Sequence, residues 1–240
     1  MAPHSWTRRD VVKTGLAVGA GAALWPIPRP PAPTVVLFQG DSVTDCGRDR
    51  AAGDPNRAGP LGTGYPLLVA SAELAAHPAS EFKFYNRGIS GNKIPDLEQR
   101  WAADTIALKP DVLSILIGVN DFWHTKTHGY TGTVADYETG FAALLQATRQ
   151  ALPSVRLVVI EPFVLRCGAV DASWFPEFDE RRAAAARVAR QVGATFVPMQ
   201  ARFTELASRS TPEYWAADGV HPTAAGHGLI AERWRHAVKL

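Results

Sequence analysis

Val35-Val36-Leu37-Phe38-Gln39-Gly40-Asp41-Ser42-Val43-Thr44 decides how this chain is read. An apolar, β-branched run stops abruptly at Gly-Asp-Ser. The pattern predicts a buried strand whose C-terminal end presents a serine. Ligands of open α/β sheets bind beyond the carboxyl ends of the strands. A hydroxyl at that place is positioned to be a nucleophile, but it needs a base and a third, orienting group. Gly-Asp-Ser alone is common turn chemistry, so the partners carry the argument.

Working outward, strand and helix patterns alternate. Asp45 to Thr63 is polar and Gly-rich and reads as a long loop beside Ser42. Tyr65 to His77 has helical apolar spacing and ends at Pro78. Phe82 to Tyr85 is a short strand running into Asn86-Arg87-Gly88-Ile89-Ser90-Gly91-Asn92. Pro95 to Leu108 reads as a helix. Asp111 to Ile117 is an almost continuous apolar strand, the kind buried on both faces of a parallel sheet, and it ends in Gly118-Val119-Asn120-Asp121. A helix over Val134 to Leu152, a strand over Val155 to Ile160 and a loop over Arg166 to Phe178 follow. Then come a helix over Asp179 to Val192 with Asp179 as its candidate cap, and a strand over Ala194 to Val197. A helix near Gln200 to Ser208, the segment Asp218-Gly219-Val220-His221-Pro222 and a last helix from Thr223 to about Val238 complete the chain. This order predicts a three-layer α/β/α sandwich with a five-stranded parallel sheet in the flavodoxin-like order 2-1-3-4-5.

The 240 residues suit one domain with a full core. The first thirty-odd residues stand apart from it. Thr7-Arg8-Arg9-Asp10-Val11-Val12-Lys13 precedes the weakly apolar run Thr14 to Trp25, which is short for a membrane span of about 20 residues. The order of features resembles a twin-arginine export signal, and Pro26 to Pro33 reads as a stiff linker. The expected division is therefore signal and linker at 1–33 and a folded domain at 34–240. Export places the product in the periplasm, at the cell surface or outside the cell, with no stable membrane insertion once the signal is cleaved. The cleavage site is not legible, and retention of the segment as an N-terminal anchor stays open. Setting aside Arg8, Arg9, Lys13, Arg29 and Asp10 leaves 21 basic and 22 acidic residues. So even a balance is no footprint for nucleic acid, and it suits an uncharged small-molecule or oligosaccharide ester. Cys46 and Cys167 allow one bridge or two free thiols. Oligomeric state stays open.

Three polar segments sit at strand ends and a fourth, Asp218 to His221, can fold back over the same edge. His221 supplies an imidazole to take a proton from Ser42. Asp218, three residues earlier, is close enough to hold the ring's other nitrogen and fix its tautomer. The backbone N–H groups of Ser42 and Gly91 and the Asn120 amide are candidates for an oxyanion hole; glycine at 91 keeps side-chain atoms away from that N–H. Asp41 and Asp121 are expected to shape their loops, and Glu161 with Pro162 to end a strand. No His/Cys/Asp/Glu group has metal-ligand spacing, and no Gly-rich loop matches a phosphate or dinucleotide cradle. No metal or cofactor is expected.

Together, Ser42, Gly91, Asn120 and His221 with Asp218 resemble the GDSL family of hydrolases, also called SGNH hydrolases. The resemblance spans Val35 to the last helix. It implies a catalytic triad of Ser42, Asp218 and His221, and an oxyanion hole at Ser42, Gly91 and Asn120. Thr44 stands where a Gly-x-Ser-x-Gly elbow needs its second glycine, unlike an ordinary α/β-hydrolase. The blocks Gly40 to Arg48, Asn86 to Asn92 and Ile117 to Trp123 look like the branch containing bacterial acetylxylan esterases. That branch implies removal of acetyl groups from xylan or xylo-oligosaccharides through an acyl-enzyme. A lipase or lysophospholipase on the same scaffold is the alternative enzyme, and a non-catalytic carbohydrate-binding protein the alternative class. Trp123, Trp174 and Trp215 are candidates for stacking on sugar rings or for packing, and Arg87 for substrate contact.

Overall fold

The computed structural model describes residues 33–240. The expected export signal and linker, apart from Pro33, lie outside the described residues. Five strands form one sheet: β1 (Thr34–Gly40), β2 (Phe82–Asn86), β3 (Val112–Leu116), β4 (Arg156–Ile160) and β5 (Thr195–Val197). Their spatial order is β2-β1-β3-β4-β5, with every neighbour parallel. This is the predicted order, and it sets β1, whose end leads into Ser42, between β2 and β3.

The strands alternate their side chains between two apolar layers. Val36, Phe38, Leu116, Val158 and Ile160 face one layer; Leu37, Leu113, Ile115, Leu157 and Val159 face the other. The first layer is completed by α3 (Tyr65–Ala76), α8 (Gln200–Ala207) and α10 (Ala224–Val238). The second is completed by α4 (Ile94–Asp104), α6 (Val134–Ala151) and α7 (Glu177–Gln191). Covering both faces explains why β1 and β3 read as continuous apolar runs rather than alternating ones. Phe38, wholly buried between Tyr65, Phe84 and Trp234, is the kind of site where truncation to alanine costs about 3–5 kcal/mol.

Several boundaries moved for physical reasons. The helix expected over Pro95 to Leu108 stops at Asp104, and a separate 3₁₀ turn covers Ile106–Leu108. Gln39 causes the break: its amide donates to Thr105 Oγ1 at 2.9 Å and to the Asp104 carbonyl at 3.4 Å. α7 begins at Glu177, with Pro176 at its cap position. Asp179 is therefore not the cap; its carboxylate pairs with Arg182 one turn on. The long loop after Ser42 contains the short helices α1 (Ser42–Asp45) and α2 (Ala58–Leu61). Gly118 to Asp121 is not a simple turn but the entry to α5 (Val119–Thr127), and a further helix, α9 (Pro212–Trp215), precedes the Asp218 segment. Both cysteines are free. Cys46 Sγ lies 3.3 Å from His227 Nε2, and Cys167 Sγ donates to the Ala216 carbonyl at 3.3 Å. No helix among the described residues is long and apolar enough to cross a membrane.

Candidate active site

The site starts at the end of β1. Gly40 has φ +152°, and a Cβ there would lie 2.2 Å from the Leu116 carbonyl oxygen of the adjacent strand. Only glycine lets β1 approach β3 this closely and turn out of the sheet. Asp41 then caps α1, its Oδ1 accepting from the Val43 N–H at 3.0 Å. Ser42 becomes the first residue of a tight helical turn instead of a continuing strand. Its Oγ lies 2.9 Å from His221 Nε2.

His221 reaches it from the segment before α10. Asp218 Oδ2 is 2.6 Å from His221 Nδ1, while Asp218 Oδ1 accepts from the backbone N–H groups of His221 (2.7 Å) and Val220 (2.9 Å). One carboxylate thus orients both ring and backbone. Burial alone would raise the Asp218 pKa; the bonds from His221 and Val220 outweigh it and hold the group below its ordinary value. The segment is braced from the loop after β4: the Leu165 N–H donates to the Gly219 carbonyl at 2.8 Å and the Ala169 N–H to the Asp218 carbonyl at 2.9 Å.

Gly91 and Asn120 arrive from the ends of β2 and β3, which flank β1. Gly91 has φ +84°, and a Cβ on it would meet nothing nearer than His124 Cε1 at 3.9 Å. The left-handed backbone is a second reason for glycine at 91, beside the open approach to its N–H. Asn120, buried in the first turn of α5, donates through Nδ2 to the Asn92 carbonyl at 3.2 Å, which holds the amide next to the Gly91 loop. Among the described residues, neither the Ser42 nor the Gly91 N–H donates to another protein group. Both are free for an oxygen of a reacting ester.

A set of residues that the sequence did not single out ties these parts together. Asn86 bonds the carbonyls of Thr44 (2.7 Å) and Leu61 (2.9 Å) and accepts from the Gly88 N–H (2.9 Å). Asp45 accepts from both the N–H (2.9 Å) and the hydroxyl (2.8 Å) of Ser90 and pairs with Arg50. Arg48 donates to the Gly88 carbonyl at 2.7 Å. Asn-x-Gly after β2 was the available signal for the first of these; the others are contacts between distant segments that carry no local pattern.

Asp41 and Asp121 are loop-shaping, as expected. Asp121 Oδ1 accepts from the Ile94 N–H at 3.0 Å and so joins α5 to α4, while its Oδ2 is buried with no partner. Burial pushes both carboxyl groups up to about 7. Glu161 is structural: it accepts from the Met199 and Gln200 N–H groups and pairs with Arg182. The three tryptophans part company. Trp174 is core, packed on Phe122 and Phe178, so its candidacy for sugar stacking is corrected. Trp215 packs on Phe203 and Tyr214 with Nε1 donating to Ser210 Oγ. Trp123 borders the triad, its ring centroid 6.0 Å from that of His221. Arg87 lies half-buried, its guanidinium 5.8 Å from the Tyr85 ring centroid.

The arrangement is that of an acyl-transfer centre: a serine hydroxyl, an imidazole, an orienting carboxylate and free N–H donors at one sheet edge. Residues 38–229 match the model of the GDSL-like Lipase/Acylhydrolase family. An acetylxylan esterase of Geobacillus stearothermophilus is 35% identical over 203 residues, covering 82% of this chain and 90% of that protein. A crystal structure described as a GDSL-like lipase from Parabacteroides merdae has a TM-score of 0.84 at 48% identity, covering 86% of this chain and 95% of the other. The solved acetylxylan esterase Axe2 of G. stearothermophilus has a TM-score of 0.78 at 33% identity, with 86% and 94% covered. Catalytic mutants of that enzyme replace one serine and one histidine. The chain belongs to the GDSL-like lipase/acylhydrolase family and is a carboxylic ester hydrolase.

Proposed function

We propose that the protein is a serine esterase that removes acetyl groups from hydroxyls of xylan or xylo-oligosaccharides, with Ser42 as nucleophile. The observation that carries this reading is the hydrogen-bonded relay Ser42–His221–Asp218 in a chain that shares most of its length with an acetylxylan esterase. Ser42 Oγ forms a bond to the acetyl carbonyl carbon as its proton passes to His221 Nε2. The negative oxygen is received by the N–H groups of Ser42 and Gly91 and the Asn120 amide. The carbon–oxygen bond to the sugar breaks, and the proton on His221 goes to the departing hydroxyl. Water then attacks the acetyl-Ser42 ester, giving one proton to His221, which returns it to Ser42 as acetate leaves. Asp218 keeps Nδ1 protonated throughout. Trp123, beside His221, is the aromatic surface placed to meet a sugar ring.

The test is acetate release from a panel of acetylated xylan, acetylated xylo-oligosaccharides, acetylated cephalosporin and triacetin, beside octanoyl esters. The expected outcome is fastest turnover on the acetylated xylose substrates. Preference for octanoyl esters would move the protein to the lipase side of its family. The Arg8-Arg9 segment supports action outside the cytoplasm; replacing both arginines by lysine in a reporter fusion should abolish export, and undiminished export would overturn that placement.

A further inference from the structure

Arg100 lies on α4, outside all three strand ends, yet its guanidinium binds two of them. Nε donates to Asn92 Oδ1 at 2.8 Å. One terminal nitrogen donates to the Arg87 carbonyl and to Asp104 Oδ2, both at 2.8 Å, and the other reaches the Gly40 carbonyl at 3.4 Å. The side chain is only 15% exposed and is neutralised by Asp104 within its own helix. Gly40 stands two residues before Ser42, and Arg87 and Asn92 bracket Gly91. The Asn92 carbonyl in turn receives the Asn120 amide. One planar fork therefore connects the backbone leading to the nucleophile with the loop carrying one oxyanion donor and touching the other. A lysine offers its donors from a single point and does not span these acceptors.

We propose that Arg100 is a positioning residue: it sets the Gly91 N–H and, through Asn92, the Asn120 amide at a fixed place relative to Ser42. The proposal rests on the oxyanion roles given above to Gly91 and Asn120. Its physical basis is preorganisation. Donors stabilise developing charge best when they are in place beforehand, and a glycine has more backbone freedom to lose than any other residue, which the ties at Arg87 and Asn92 restrict.

The experiment measures kcat and KM for p-nitrophenyl acetate, inhibition by a boronic acid and thermal unfolding. The boronic acid's tetrahedral adduct with Ser42 puts an oxygen where the oxyanion forms. The variants are Arg100→Ala, Arg100→Lys, Asn92→Ala, the Arg100→Ala/Asn92→Ala pair and Asn120→Ala. Displacement of about 1 Å near the reacting atoms costs about 100-fold, so Arg100→Ala should lower kcat about 10- to 100-fold with KM little changed. Boronic acid affinity should fall alongside. Arg100→Lys should recover less than half of the lost rate, and the double variant should fall short of the product of the single effects. Full rescue by lysine, an effect on KM alone, or a lower unfolding temperature with unchanged kcat would overturn the proposal. If Arg100→Ala does not fold, Arg100→Lys and Asn92→Ala decide, since each must then lower kcat and boronic acid affinity without lowering the unfolding temperature. An unimpaired Asn120→Ala would overturn the oxyanion roles themselves; an impaired one beside an unimpaired Arg100→Ala would overturn only the role of Arg100.

Discussion

Ser42 Oγ and His221 Nε2 lie 2.9 Å apart although 179 residues of chain separate them. Two turns make this contact: the Gly40–Asp41 exit from β1 and the Asp218-held loop before α10. Ser42→Ala should reduce turnover of p-nitrophenyl acetate by at least about 1,000-fold. It removes one half-buried hydroxyl and should leave the circular dichroism spectrum and unfolding temperature nearly unchanged. Retained turnover in the folded variant would rule out Ser42 as nucleophile. Asp218→Asn should act through kcat, by about 1,000- to 10,000-fold, because an amide no longer selects the required tautomer of His221.

Asn120→Ala should lower kcat by about 100- to 1,000-fold with little change in KM, the loss typical of one oxyanion donor. Steady-state kinetics on a short acetyl ester checks this, and an effect confined to KM would contradict it. Gly91→Ala meets no protein atom closer than 3.9 Å, but it forces a side chain onto φ +84°. The strain is worth about 1–2 kcal/mol, so the loop should shift and kcat should fall while the variant still folds.

Asp121 gives stability a pH dependence of definite sign. Burial, opposed by the Ile94 N–H bond, raises its pKa to about 7 in the folded chain, against an ordinary carboxylate value of 3.8. The unfolded chain therefore ionises first. This contribution is most favourable below pH 3.8, declines as pH rises toward 7, and is level above that. Asp121→Asn removes the titration and also the charge that helps to raise Asp41. Its unfolding temperature relative to the unchanged protein should rise between pH 4.5 and pH 7.5, by more than about 1 kcal/mol in stability terms. A difference independent of pH would contradict the assignment.

His227 works in the opposite sense. It is buried against Cys46 and Tyr65, its Nδ1 accepting from the Tyr65 N–H at 3.1 Å. Burial first, and the nearby charge of His221 second, lower its pKa from 6.5 to about 4. The unfolded chain takes up a proton that the folded chain refuses, so stability is full above pH 6.5 and falls as pH drops toward 4. His227→Gln should flatten this part of the curve, as measured by thermal unfolding at pH 7 and pH 5. An equal loss in both proteins over that interval would show that another group governs it.

The order of elements was legible because it rests on short-range facts. Runs such as Val35 to Phe38 and Val112 to Ile117 have no polar face, so they belong inside a covered parallel sheet, and the helices between them impose the crossovers. Asp218 and His221 were legible as a pair because three residues make one turn. The contacts that crossed the fold were not. Gln39 cutting α4 short, Arg100 reaching two loops and Asp45 holding Ser90 each join segments distant in sequence, and nothing local announces them. Trp123 and Trp174 look alike in the sequence, yet one borders His221 and the other is core. The sequence by itself determined the strand order and singled out Ser42, Asp218 and His221 as partners, because strand-end chemistry and periodicity are local. Only the tertiary structure decided which groups bond to the Gly91 loop and which tryptophan ring lies beside His221. Those depend on the register of β2, β1 and β3 and on the packing of α4 and α5, which the whole chain sets together.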